Sequence, residues 1–282
     1  MKSLRWKIHD PRQPEQILEH YEVEKTLAAR LRAASRSERR ALYGELYDEL
    51  FRRIPHHPQL VNRASPEARR RSARRQARFL LSLVADGASI LEIGSGDCLL
   101  AAELARGARA VYAVDVSEEM TRLAARPQNL HLILSDGCSI DVPPASIQLA
   151  FSNQLMEHLH PDDAVEQLRN IYAALADGGK YFCITPNRLS GPHDVSRTFD
   201  DEATGFHLHE YTVAELELLF RSAGFSRFRA YLGVDGTYLR VPLALIRATE
   251  SLLGRAPRKW RRALGPLAPL RALLGIRLLA IK

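Results

Sequence analysis

Apolar side chains recur at three- and four-residue steps through residues 14–53. Ile17, Leu18, Tyr21 and Leu27, then Leu42, Leu46, Tyr47, Leu50 and Phe51, mark out amphipathic helices there. Proline punctuates IPHHPQL, and EARRRSARRQAR continues as a very basic helix that turns apolar at FLLSLV. From Ala88 the pattern changes to short β-branched or apolar runs alternating with helical stretches. It predicts strands over Ser89–Ile93, Ala110–Asp115, Leu130–Asp136, Ile147–Asn153 and Lys180–Pro186. Between them it predicts helices from about Leu99 to Arg106, over EEMTRLAAR and over DDAVEQLRNIYAAL. Such alternation implies an α/β protein with a parallel, doubly wound sheet and helices on both faces. The helix TVAELELLFRSAG and the strand FSRFRAYLGV follow, and GIRLLAIK reads as a last strand. Pro242 to Leu274 is then a basic helical excursion between the final two strands. The expected organisation is a basic helical extension over 1–78 on the lid or substrate side, a core over 79–239, and an amphipathic helical segment with the last strand over 240–282.

Charge sharpens that division. The 282 residues carry a formal +7, with 46% hydrophobic and 26% charged residues, which is ordinary globular composition. The average conceals a pattern: 1–78 holds 19 basic and 10 acidic residues, 79–239 holds 11 and 22, and 240–282 holds 10 and 1. An acidic middle lies between two basic ends. The opening MKSLRWKIHD carries charge where a signal peptide needs an apolar stretch. No uncharged apolar run approaches the roughly 18–20 residues of a membrane span, the best candidate, Val241 to Ile246, stopping at Arg247. Cys98, Cys138 and Cys183 are odd in number, far apart and without a C-x-x-C pair, so they read as buried thiols of a reducing cytoplasm.

The segment LEIGSGDC, Leu91 to Cys98, puts a Gly-Ser-Gly turn at the carboxyl end of the first strand, where doubly wound sheets bind ligands. Gly94 and Gly96 let the backbone turn sharply and approach a ligand closely. Tight turns also use glycine for purely structural reasons, so three further positions matter. A dinucleotide fingerprint would need glycine at 99, which is Leu99, arguing against a pyrophosphate on the next helix. Asp115 ends the second strand, where a carboxylate can hold both hydroxyls of a ribose, or else cap the next helix, a role for which Ser117 is better suited. Asp136 with Gly137 ends the third, where the acid or adjacent backbone can meet an adenine edge, or else serves the turn. A nucleoside without a pyrophosphate at an acidic rim points to a cationic cofactor.

These motifs, with SNQLMEHL and ADGGKYFCITPN after them, resemble the class I S-adenosylmethionine-dependent methyltransferases of the branch that includes the ubiquinone and menaquinone biosynthesis enzymes. The resemblance runs from about Phe79 to Val234 and is specific for cofactor and fold, not for substrate. It implies a Rossmann-like sheet and S-adenosyl-L-methionine as cofactor. It places Glu92, Gly94, Ser95 and Gly96 around the methionyl part and Asp115 with Val116 at the ribose. Asp136 and Gly137 then lie near the adenine, with Asn153 and Gln154 beside the methyl donor. Cys98 stands where many relatives have glycine.

Methyl transfer from a sulfonium is an in-line displacement, so the protein supplies orientation, desolvation and, for a hydroxyl acceptor, a general base. Histidine suits that task near neutral pH. His158, in MEHL after the fourth strand, is one candidate, with capping or packing as the alternative. The long segment TPNRLSGPHDVSRTFDDEATGFHLHEYT follows the fifth strand over the rim where the acceptor enters, and loops this long are often functional. Its His193 and Asp194 are the other candidates for base and orienter, although adjacent residues seldom point the same way. No spacing in the segment fixes a set of metal ligands, so no metal site is expected; a solvated acidic lid without chemistry is the alternative.

The chain lacks the Asn/Asp-Pro-Pro-aromatic signature of amino-directed nucleic-acid methyltransferases and the Pro-Cys of cytosine carbon methylation. The arginine-rich segment before the core could meet phosphates, yet it has no interleaved aromatic platform. In the last segment, leucine faces with Trp260 between basic pairs fit an interfacial helix on anionic lipid, or else pack on the core. The expected enzyme is cytoplasmic, with peripheral membrane contact through 241–275, and methylates an oxygen of a small or lipid-linked acceptor, such as a sugar or quinone precursor. The other two readings are an RNA methyltransferase and a non-catalytic cofactor-binding docking protein.

Overall fold

The computed structural model describes residues 10–61, 65–117, 127–234, 236–265 and 267–282. Two helices lead, α1 (Pro14–Ala33) and α2 (Arg36–Arg53). Ser35 starts α2 with a reciprocal cap: its hydroxyl takes the Glu38 amide while the Glu38 carboxylate takes the Ser35 amide at 2.8 Å. Leu27, Leu31, Leu46 and Leu50 from this pair are fully buried, and truncating any one to alanine costs about 2–5 kcal/mol. After a single turn, α3 (Pro58–Val61), comes the basic helix α4 (Pro66–Leu81).

The alternating core follows as β1 (Ser89–Ile93), α5 (Leu99–Leu104), β2 (Ala110–Asp115), β3 (Leu130–Leu134), β4 (Ile147–Asn153), α6 (Pro161–Ala174), β5 (Leu175–Thr185), α7 (Val213–Ser222) and β6 (Arg227–Val234). The helix expected over EEMTRLAAR, residues 118–126, lies outside the described residues. The chain then forms β7 (Thr237–Val241), α8 (Leu243–Arg255), α9 (Arg258–Leu264), α10 (Ala268–Leu274) and β8 (Ile276–Ile281).

The strands form one sheet in the order β3-β2-β1-β4-β5-β8-β6-β7. Successive residues of β1 point to opposite faces, Leu91 and Ile93 into one apolar cluster and Ile90 into the other. All five residues of β1 are buried, as expected of a strand covered on both sides. The expectation of a parallel sheet holds only from β3 to β5. Beyond β5 every pairing is antiparallel, β8 running against both β5 and β6, and β7 against β6. β7 was not foreseen, although Asp235-Gly236 between two β-rich runs is a hairpin signal.

Polar bonds fix α1 and α2 across the carboxyl ends of the strands. Arg39 of α2 grips the Asp163 carboxylate of α6 through Nε at 2.6 Å and Nη2 at 2.8 Å. Arg32 of α1 donates to the carbonyls of Thr204 and Gly205, and the Glu24 carboxylate accepts the amide of Phe206. On the far side, the buried Glu250 of α8 accepts the Val213 amide at 2.7 Å at the start of α7. The three cysteines are buried and unbridged.

Candidate active site

Where the ends of β1, β2 and β4 meet beneath α2, a cavity of about 350 Å³ opens, within the roughly 300–1,000 Å³ of small-molecule sites. Its floor is the turn after β1. Gly94 at φ +72° and Gly96 at φ +51° hold left-handed conformations that glycine adopts without steric cost. A Cβ on Gly96 would meet nothing within 4 Å, so the space over this turn is open to a ligand. Asp115 accepts the Gly96 amide at 2.7 Å and the Ser117 amide at 3.0 Å, and burial raises its carboxyl above the usual range against the pull of those amides.

Val116, Gly137, Asn153 and Gln154 line the same cavity. Asp136 is turned elsewhere: its carboxylate accepts the amides of Cys138 and Ser139 and pairs with Arg40 at 2.9 Å. The backbone at Gly137, with Ser135, faces the cavity in its place. Glu92 and Ser95 border an adjoining groove with Asn153. Glu92 Oε2 is buried without a hydrogen-bond partner among the described residues, and burial, with Asp115 nearby, pushes this carboxyl up to about 8. A buried acceptor without a donor fits an ammonium group brought by a ligand.

Tyr43, Tyr47 and Phe51, four residues apart on α2, form the roof. Tyr47 and Phe51 lie on the apolar face that the sequence pattern predicts for this helix, a pattern that carries no sign of the cavity beneath them. The Tyr43 hydroxyl donates to Asp163 at 2.8 Å and accepts the His160 amide at 2.9 Å.

A second chamber of about 330 Å³ adjoins the first, and Tyr47, Gln59, Gln154 and His158 line both. His158 donates Nδ1–H to the Phe206 carbonyl at 3.0 Å, which leaves the Nε2 lone pair free. Burial pushes this imidazole down to about 3, so it is neutral at physiological pH. His193 and Asp194 also line the chamber but do not work on each other. The His193 ring lies against Ser190 Oγ at 3.0 Å and the Asn187 carbonyl at 3.1 Å. Asp194 accepts the amides of Ser196 and Gly205 and the Ser196 hydroxyl. Adjacent residues here point apart, and both brace the loop.

His207 and Glu210 belong to the same long segment after the fifth strand, and the fold makes them a buried pair, His207 Nδ1 lying 2.6 Å from Glu210 Oε1. Burial opposes charge on His207, yet Glu210 and Glu157 carry it up to about 9. Glu157, absent from the sequence-based candidates, is fully buried, accepts the Thr185 hydroxyl at 2.8 Å, and burial pushes it up to about 7.

A family model described as a methyltransferase domain matches residues 52–227. Among solved structures, the chain is similar to the protein bound by the Trm112 methyltransferase activator of Haloferax volcanii, with 17% identity and a TM-score of 0.55, covering 79% of this chain and 95% of that one. A candidate O-methyltransferase of Nostoc punctiforme PCC 73102 matches at 16% identity and TM-score 0.52, over 95% of this chain and 71% of that one. A SAM-dependent methyltransferase of Thermotoga maritima matches at 15% and 0.51, over 76% and 90%. At these identities the likeness is one of fold. No curated protein matches by sequence.

Proposed function

The chain belongs to the class I S-adenosylmethionine-dependent methyltransferases, and from that membership we propose that it methylates an oxygen of a small or lipid-linked acceptor, sugar-like or quinone-like. The observation that carries this reading is the meeting of the two cavities at His158. S-adenosylmethionine supplies an activated methyl on a sulfonium. Asp115 is the group suited to the ribose hydroxyls, Glu92 to the ammonium of the methionyl end, and the Gly94–Gly96 turn to close backbone contact. Gly137 backbone faces the adenine side, while Asp136 holds its loop.

The acceptor then lies in the second chamber with its hydroxyl toward His158. With the cofactor bound, the methyl would pass to the acceptor oxygen, sulfur would keep the bonding pair, and the hydroxyl proton would be taken by Nε2 of His158, whose Nδ1–H is held by the Phe206 carbonyl. His158 is the catalytic residue of this reading; His193 and Asp194 are positioning residues that hold the chamber wall. The roof of Tyr43, Tyr47 and Phe51 excludes water from the transfer.

In this reading residues 1–78 are the lid, 79–239 the cofactor-binding core and 240–282 the docking segment. Leu245, Leu252, Trp260 and Leu267 are exposed on α8, α9 and the turn after it, beside Arg255 and Arg258, the pairing that favours an anionic lipid surface. No helix among the described residues is long and apolar enough to cross a membrane. Against an RNA acceptor, α4 engages Arg69 and Arg74 with Asp97 and Glu103. A deletion strain tests the proposal: metabolites and membrane lipids are compared by mass spectrometry for a species lighter by one methyl. Recovery of that species, methylated by the purified protein at nitrogen or carbon, would overturn oxygen as the target. A cofactor-binding protein that transfers no methyl to cell extract would overturn catalysis.

A further inference from the structure

Among the described residues, two clusters of histidine and carboxylate lie at or just behind the chamber walls, and their hydrogen bonds separate them. In the first, His20, Glu24 and His57 bring ligand atoms within 4.8 Å of one another. Arg12 donates to His20 Nδ1 at 2.8 Å and the Gln59 amide donates to His57 Nδ1. Both rings therefore carry their proton on Nε2 when neutral. In that cluster His20 Nε2 lies 2.6 Å from Glu24 Oε2, and neither histidine keeps a lone pair for an ion.

The second cluster, Glu157, His158 and His207, has the same closeness and the opposite tautomers. His158 Nδ1–H donates to the Phe206 carbonyl, and His207 Nδ1–H donates to the Glu210 carboxylate. Each Nε2 is then the remaining ring atom. Metal-bound histidines nearly always donate their other N–H to a carbonyl or carboxylate in this way. The third member supplies an independent sign: Glu157 is wholly buried, Thr185 satisfies Oε2, and Oε1 has no hydrogen-bond partner among the described residues.

We propose that Glu157, His158 and His207 form a site for a divalent transition ion of the zinc type, at the wall between the cofactor cavity and the acceptor chamber. Two imidazoles and one carboxylate with an open fourth position make a known zinc donor set. Ligand atoms around zinc lie roughly 3.3 Å apart, so a spread within 4.8 Å needs only small side-chain movements to close. Glu157 and the Glu210 behind His207 together balance two positive charges, which removes most of the cost of burying the ion. The ion takes the place of a proton on His207.

The inference rests on the oxygen-methylation reading and specifies its activation step. A hydroxyl that reaches the open position loses its proton more readily, as metal-bound water does, and the proton passes to bulk solvent before the methyl is transferred. With the ion bound, His158 Nε2 is a ligand, so His158 becomes a positioning residue and the ion takes over activation of the hydroxyl.

The full-length protein is stripped with chelator, dialysed, and titrated with Zn2+ and with Co2+ as a spectroscopic probe. One ion per chain and a tetrahedral Co2+ visible spectrum are expected, with at least 10–100-fold weaker binding in Glu157→Gln and in His207→Asn. His57→Asn, in the other cluster, retains wild-type metal affinity. Circular dichroism and S-adenosylmethionine calorimetry on each variant establish that it is folded. No ion in the folded wild type, or unchanged affinity in both ligand variants, overturns the site while leaving the cofactor reading intact. Loss through His57→Asn alone moves the ion to the first cluster and equally overturns it. Metal binding without S-adenosylmethionine binding would instead count against the cofactor reading.

Discussion

The Asp115 carboxylate accepts the Gly96 amide at 2.7 Å, so the end of β2 ties down the glycine turn that follows β1. One side chain thus both shapes the floor of the cavity and presents charge to it. Asp115→Asn keeps the volume and removes the charge. Hydrogen bonds to charged groups contribute about 1.5–3 kcal/mol, so S-adenosylmethionine affinity falls roughly 10–100-fold by calorimetry. An unchanged dissociation constant would remove Asp115 from the cofactor site.

Gly137, at φ +88°, lies so near Tyr43 that a Cβ there would sit 2.7 Å from the ring. Gly137→Ala combines an unfavourable backbone conformation with a clash against the roof helix. Destabilisation of about 1–3 kcal/mol is expected, read as a lower Tm, together with weaker cofactor binding because α2 is displaced. A variant as stable as the wild type would mean that α2 shifts freely.

The buried Arg39–Asp163 pair sets an acid limit on stability. Burial alone would raise the Asp163 carboxyl, but Arg39 and the Tyr43 hydroxyl from α2 outweigh it and hold the group below its ordinary 3.8. His160 and Asp162 at the start of α6, and Cys138, are the other titratable groups beside it. A depressed folded pKa contributes stability above the unfolded value of about 3.9, and that contribution disappears as pH falls through the lower folded value. Asp163→Asn takes away the carboxylate that Arg39 grips and leaves the buried guanidinium only the Asp162 carboxylate, at 3.8 Å, a loss of about 3 kcal/mol at pH 7. Urea unfolding at pH 7, 5 and 3 should show the gap between variant and wild type narrowing only in acid. A gap independent of pH would show that the pair does not set the acid limit.

Exposed Leu252 and Trp260, 69% and 61% accessible, are the positions through which lipid contact can be removed without disturbing the core. Co-sedimentation with anionic vesicles should drop at least fivefold in Leu252→Ser with Trp260→Ala and weaken with salt. S-adenosylmethionine affinity should not change. Equal sedimentation of variant and wild type would move the docking surface elsewhere.

Local pattern made much of this legible. The limits of β1, β2 and β4 coincide with the apolar runs that predict them, because a strand covered on both faces must be apolar throughout. The Gly-Ser-Gly turn and Asp115 were recognisable from their places at strand ends. Strand direction beyond β5 was not, since apolar alternation is the same for either sense. Glu157 lay beside a candidate histidine in sequence, yet its significance depends on His207, fifty positions on, which only the rim loop brings near. His193 and Asp194, neighbours expected not to point the same way, do turn apart, and the rim loop's own groups hold both.

β8 occupies the middle of the sheet, between β5 and β6, although it is the last strand in sequence. On a ribosome, β1 to β5 can assemble as soon as they emerge, while the β6–β7 hairpin lacks its native partner strand until residues 276–281 arrive. The late-made strand acts as a keystone: removing those six residues should detach two strands it does not itself contain and leave β5 as a bare edge open to other chains.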